Sequence, residues 1–149
     1  MTIYHRILVP IDGSATSASA LKEAIRLAEG KALIHLAYVL EDVYMLDTES
    51  QVLIDYAAMQ ETARNIGEQT LSHAADKVRQ SGATVETLLL EARGESIAAL
   101  VNEDAGNWQA DLIVIGTHGR TGLSRLLMGS VAEGVVRGAS IPVLLVRTE

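Results

Sequence analysis

Apolar residues along this chain fall into two textures, short continuous runs and longer stretches spaced three or four residues apart. The runs are Arg6–Ile11 (RILVPI), Leu33–Leu40 (LIHLAYVL), Val85–Leu90, Leu112–Ile115 (LIVI) and Val143–Val146 (VLLV). Each is short and aliphatic, which predicts a strand; Leu112–Ile115 has the pattern of one buried on both faces. The spaced stretches predict helices. One carries Leu21, Ala24, Ile25, Leu27 and Ala28; a long one runs from about Gln51 to Ser81 through Tyr56, Ala63, Ile66, Leu71, Ala75 and Val78. A shorter one covers Glu95–Glu103, and the last opens at Ser130 with Val131, Val135 and Val136 on one face.

Punctuation between these segments fits the same division. Asp12-Gly13-Ser14 has turn chemistry, and Ser17 or Ser19 is expected to cap the first helix. Gly30 and Gly82 stand where helices should stop. Gly67 lies inside the long helix, costs about 1 kcal/mol there relative to alanine, and leaves room for a bend. Glu41–Ser50 reads as an acidic loop, and His35 as a strand histidine with a backbone or solvent partner rather than a ligand. Strands that alternate with helices imply parallel pairing through right-handed crossovers, hence an open α/β sheet with helices on both faces. Ligands in such sheets bind beyond the carboxyl ends of the strands. If the first and fourth strands are neighbours, Asp12 and Gly116 flank one crevice there.

Composition narrows this picture. With five aromatic residues and no phenylalanine, the core must be aliphatic, as suits a parallel sheet. A formal charge of −7 argues against a nucleic-acid or anionic-membrane partner, both of which want basic patches. The absence of cysteine excludes disulfides, thiol catalysis and cysteine metal sites. The opening MTIYHRILVPID lacks a signal-peptide layout, and no apolar run approaches the roughly 18 residues of a membrane helix. The expectation is a cytoplasmic chain forming one domain over residues 1–149, without membrane insertion.

The richest chemistry lies in Asp111–Val131, DLIVIGTHGRTGLSRLLMGSV. A strand runs into a loop holding Gly116, Gly119, Gly122 and Gly129, and a helix follows. Glycines let backbone N–H groups approach an anion, and a helix N-terminus adds unpaired donors and partial positive charge. Arg120 and Arg125 lie within this loop. Plainer readings stand beside this one: Asp12 suits a turn, Ser130 an ordinary N-cap, Arg120 a solvated charge and His118 a loop position. The chain has neither a Gly-x-x-x-x-Gly-Lys-Ser/Thr motif nor a Gly-x-Gly-x-x-Gly after its first strand, so P-loop and dinucleotide sites are unsupported.

The spacing Gly116-x-x-Gly119, nine residues, then Gly129-Ser130 resembles the nucleotide motif of the universal stress protein family, its ATP-binding branch in particular. RILVPIDGS, ADLIVIGTHGR, GSVAEGVVR and the closing IPVLLVR extend the resemblance over essentially the whole chain. It implies an open five-stranded parallel sheet of order 3-2-1-4-5. It further implies that Asp12 bonds the ribose, and that Pro10, Ile11 and Val39 line the adenine pocket. Gly116 would allow close approach near the ribose and phosphates, while Gly119, Arg120, Gly129, Ser130 and Val131 hold the phosphate chain. The implied cofactor is ATP, ADP or AMP with Mg²⁺ held by phosphate oxygens and water. Also implied is a homodimer through the C-terminal strand.

Three functions follow for comparison: a regulatory nucleotide-binding protein of the stress response, a slow ATPase or autophosphorylating enzyme, and an adaptor without nucleotide. Efficient phosphoryl transfer needs a metal site, a phosphate-cradling cation and an oriented nucleophile. No recognisable set of these occurs, so no catalytic or metal-ligating residue is assigned. The adaptor is disfavoured by the glycine pattern, since a loop without ligand would tolerate larger side chains. The regulatory reading leads.

Overall fold

A computed structural model of the chain describes residues 3–41, 55–118 and 128–148. Its elements alternate as the apolar texture predicts. They are β1 (Arg6–Pro10), α1 (Ala15–Ala28), β2 (Leu33–Leu40), α2 (Tyr56–Gln80), β3 (Thr84–Glu91), α3 (Ile97–Trp108), β4 (Leu112–Gly116), α4 (Ser130–Gly138) and β5 (Val143–Val146). The strands form one parallel sheet in the order β3-β2-β1-β4-β5. Strands one and four are therefore neighbours, with Ile7 registered against Leu112. No described helix is long and apolar enough to cross a membrane.

Alternate residues of the central strands feed two separate cores. Ile7, Val9, Ile34, Leu36 and Val114 pack with Ala20, Leu21 and Ala24 of α1 and Leu71, Ala75 and Val78 of α2. On the opposite face Leu8, Ala37, Val39, Ile113 and Ile115 pack with Val101 and Ala105 of α3 and Val135 of α4. That is why β1 and β4 read as unbroken apolar runs. The outer strands β3 and β5 are covered less completely, and Leu88, Leu144 and Leu145 stay exposed.

Two boundaries differ from the sequence expectation. Helix α1 starts earlier, because Ser14 rather than Ser17 or Ser19 caps it, its Oγ accepting from the Ser17 N–H at 3.1 Å. Helix α3 runs past Gly106 to Trp108, although glycine is a poor helix former. Its last turn is pinned to the sheet by Asp104 and Trp108, which offsets that local cost. Helix α2 is continuous through Gly67, where a Cβ would fall 2.8 Å from Leu89 Cδ1 and 2.9 Å from the Tyr38 ring. The glycine there permits close helix–sheet contact. The Glu41–Ser50 loop and the start of the long helix at Gln51 fall mostly outside the described residues.

A polar cluster closes the amino end of the sheet. His35 Nε2 and Asp104 Oδ2 are 2.8 Å apart with both side chains buried. The partner is thus a carboxylate from across the core, and the expectation of a backbone or solvent partner for His35 is corrected. The histidine ring stacks on Trp108 at 4.7 Å, and the Arg6 guanidinium carbon lies 4.1 Å from the Trp108 ring centre. Arg6 also donates twice to the Trp108 carbonyl, at 2.7 and 3.0 Å. Asp111 accepts the N–H groups of His5 and Arg6, and Trp108 Nε1 donates to Glu86.

Candidate functional site

At the opposite, carboxyl end of the strands lies a cavity of about 420 Å³. Its walls include Pro10, Ile11 and Asp12 from the end of β1, Val39 from β2 and Gly116 from β4. Gly129, Ser130 and Val131 enter from the start of α4. Eight of the ten residues singled out from the sequence thus line one space. Gly119 and Arg120, together with Arg125, lie outside the described residues.

Parallel strand topology explains the convergence. The end of every strand here points the same way, and β1 and β4 are adjacent, so their following turns share one rim. Asp12 is a turn residue and also a wall residue of the cavity. Its Oδ1 accepts the Ser14 N–H at 2.9 Å, a turn within the chain, and the residue lines the cavity. Gly13 follows at φ +84°, a conformation that favours glycine.

Gly116 has a packing reason beside the one expected. A Cβ there would lie 2.9 Å from backbone and side-chain atoms of Thr16, so the first turn of α1 requires its absence. Close ligand approach is not needed to explain this glycine.

The start of α4 is the distinctive feature. Helices α1, α2 and α3 are capped by Ser14, Asp55 and Ser96, each accepting from a backbone N–H in the first turn. Helix α4 has Gly129 at its N-cap, with no side-chain acceptor. Ser130 is its first helical residue rather than its cap. The first backbone bond of the helix runs from Glu133 N–H to the Gly129 carbonyl at 3.0 Å. The N–H groups of Ser130, Val131 and Ala132 therefore precede the helical ladder, and all three residues line the cavity. Such an end carries about half a positive elementary charge and is suited to an anion.

Surrounding contacts hold this end in place. Gly129 N–H donates to the Thr117 carbonyl at 2.6 Å, and Thr117 N–H donates to the Val146 carbonyl at 3.0 Å. Thr117 Oγ1 lies 3.0 Å from His118 Nδ1, and His118 is part of the cavity wall. Among the described residues, Asp12, Glu41 and His118 are the ionisable ones on the wall. Near the start of α3, the exposed Glu95 carboxyl is held below its usual range by its own N–H and that of Arg93.

Sequence reasoning missed the contribution of α3. Ser96, Ile97 and Ala98 form the wall beside Val39, and Ser17 and Thr117 also reach the space. The usable signal was topological: the β3–α3 turn opens at the same end of the sheet as the turns after β1 and β4.

The sequence profile described as the universal stress protein family matches residues 3–147. A universal stress protein of Methanocaldococcus jannaschii is 35% identical over 146 residues, spanning 97% of this chain and 83% of that one. A solved family member from Burkholderia pseudomallei superposes with a TM-score of 0.78 at 31% identity, covering 97% of each chain. Another, from Archaeoglobus fulgidus and solved in complex with dAMP, gives a TM-score of 0.65 at 26% identity, covering 97% of this chain and 98% of that one.

Proposed function

The chain belongs to the universal stress protein family, and from that premise we propose that it binds an adenine nucleotide in the carboxyl-end cavity. It acts in this reading as a regulatory ATP-binding protein of the stress response. One observation carries the proposal: the α4 start, without a side-chain cap among the described residues, lines a cavity whose rim also holds Asp12. Donors at one side match a phosphate, and the acceptor at the other matches sugar hydroxyls. The dAMP complex of the Archaeoglobus fulgidus relative supports the same ligand class.

Asp12 accepts from the ribose, and Pro10, Ile11 and Val39 flank the adenine. Backbone groups of Gly129, Ser130 and Val131 take the phosphates, joined by Gly119 and Arg120. Among the described residues no group of three or more histidine and carboxylate side chains could hold a metal ion. Mg²⁺ would be bound by phosphate oxygens and water, supplying charge neutralisation. The exposed apolar edge of β5, with Leu144 and Leu145, supports a homodimer formed across a two-fold axis. Residues 1–149 form one domain acting in the cytoplasm.

Calorimetry with AMP, ADP and ATP, each with and without Mg²⁺, tests the proposal. Saturable heat with at least one of them is expected. No binding of any would refute it.

A further inference from the structure

Asp12 is tied into a closed ring of hydrogen bonds at the cavity mouth. Its Oδ1 accepts the Ser14 N–H, and Ser14 Oγ accepts the Ser17 N–H at 3.1 Å. Ser17 Oγ donates to the Ser14 carbonyl at 3.1 Å and accepts from the Asp12 N–H at 3.4 Å, which returns the ring to its start. Ser17 is 8% exposed and lines the same cavity. One buried hydroxyl thereby joins the backbone on both sides of Gly13. The carboxylate itself accepts the Ser14 N–H through Oδ1, and Ser17 holds the backbone N–H of the same residue.

We propose that Ser17 is a positioning residue that aims Asp12 at the sugar, and so sets a preference for ribonucleotides over 2′-deoxyribonucleotides. This rests on the nucleotide reading above. A vicinal diol donates two O–H bonds, and an acceptor profits from both only while its plane is held against them. A carboxylate free to tilt engages one hydroxyl and stops distinguishing the two sugars. Ser17→Ala removes the hydroxyl, keeps a good helix former in α1, and strands the Asp12 N–H without its acceptor.

Calorimetry of the full chain with AMP and with 2′-deoxy-AMP reads the effect. The wild-type protein is expected to favour AMP about tenfold, the worth of one hydrogen bond to a charged acceptor. Ser17→Ala should bring the two affinities within about twofold, and Ser17→Thr, which keeps a hydroxyl, should restore the difference. Because the residue acts through Asp12, adding Ser17→Ala to Asp12→Asn should leave the ratio of the single Asp12→Asn variant unchanged. Equal weakening of both nucleotides by Ser17→Ala, or an unaltered ratio, overturns the proposal. Should Ser17→Ala fail to fold, Ser17→Cys, a weaker donor and acceptor of similar size, must give an intermediate ratio, and a wild-type ratio overturns the proposal. A wild-type protein that binds both nucleotides alike overturns this inference and leaves the site intact. One that binds neither removes both.

Discussion

The two ends of the sheet solve opposite problems with different parts of the chain. At the amino end, side chains satisfy one another: His35 meets Asp104, Trp108 lies against His35 and Arg6, and Asp111 takes two backbone donors. At the carboxyl end, donors of the main chain are left open around a cavity, and Gly129 withholds the cap that the other three helices receive. A buried polar group without a partner costs stability, and the amino end pairs most of its polar groups, with His35 Nδ1 left without a hydrogen-bond partner among the described residues. An end built for a ligand must hold donors in reserve, and a helix start at a cavity rim keeps them solvated until the ligand arrives. In the proposed reading, fold and function are thereby separated along the strand direction.

That contrast can be broken by experiment. The largest effect on folding is expected from Asp104→Ala, which strands His35 in the core and should cost about 3 kcal/mol. Urea unfolding measures it, and nucleotide affinity of the folded fraction should stay within about threefold of wild type, consistent with weak coupling between distant sites. An Asp104→Ala protein of full stability would mean that the amino-end cluster is ornamental.

Gly129→Val tests the other end. A branched side chain at the N-cap should crowd the phosphate position and lower nucleotide affinity at least about 100-fold, or about 2.7 kcal/mol. Stability should change by less than about 1 kcal/mol, the scale of a cap substitution. Calorimetry and urea unfolding on the same sample separate the two quantities. Retained affinity would show that the α4 start is not the anion site.

Gly67→Ala gives a smaller effect whose sign is informative. Helix propensity alone predicts a gain of about 1 kcal/mol. The 2.8 and 2.9 Å approaches to Leu89 and Tyr38 predict instead a net loss, since overpacking costs about 1–3 kcal/mol. Thermal unfolding decides between them. Leu145→Lys should disturb neither end, because the side chain is on an exposed edge. Its expected consequence is confined to assembly, read as a shift from dimer to monomer in sedimentation.

Much of this was legible before any coordinates. The order of elements, the parallel sheet and the crevice beside Asp12 and Gly116 follow from runs, spacings and turns, because periodicity reports which faces are buried. The family resemblance supplied the strand order. Local context was less well determined. Ser14, Ser17 and Ser19 are all chemically able caps, and only the path of the chain after β1 selects Ser14. His35 gave no sign of Asp104, which is 69 residues distant in sequence.

What the sequence determined by itself is therefore the repertoire: which segments are strands or helices, that the core is aliphatic, and that a glycine-rich stretch of sequence precedes α4. These depend on residue type and short-range spacing. Tertiary structure decided the pairings that cross the fold: His35 with Asp104, Gly116 against Thr16, Gly67 against Tyr38 and Leu89, and α3 as a cavity wall. Such contacts have no local signature, because the free energy of a long-range contact depends on which atoms the finished fold brings within reach.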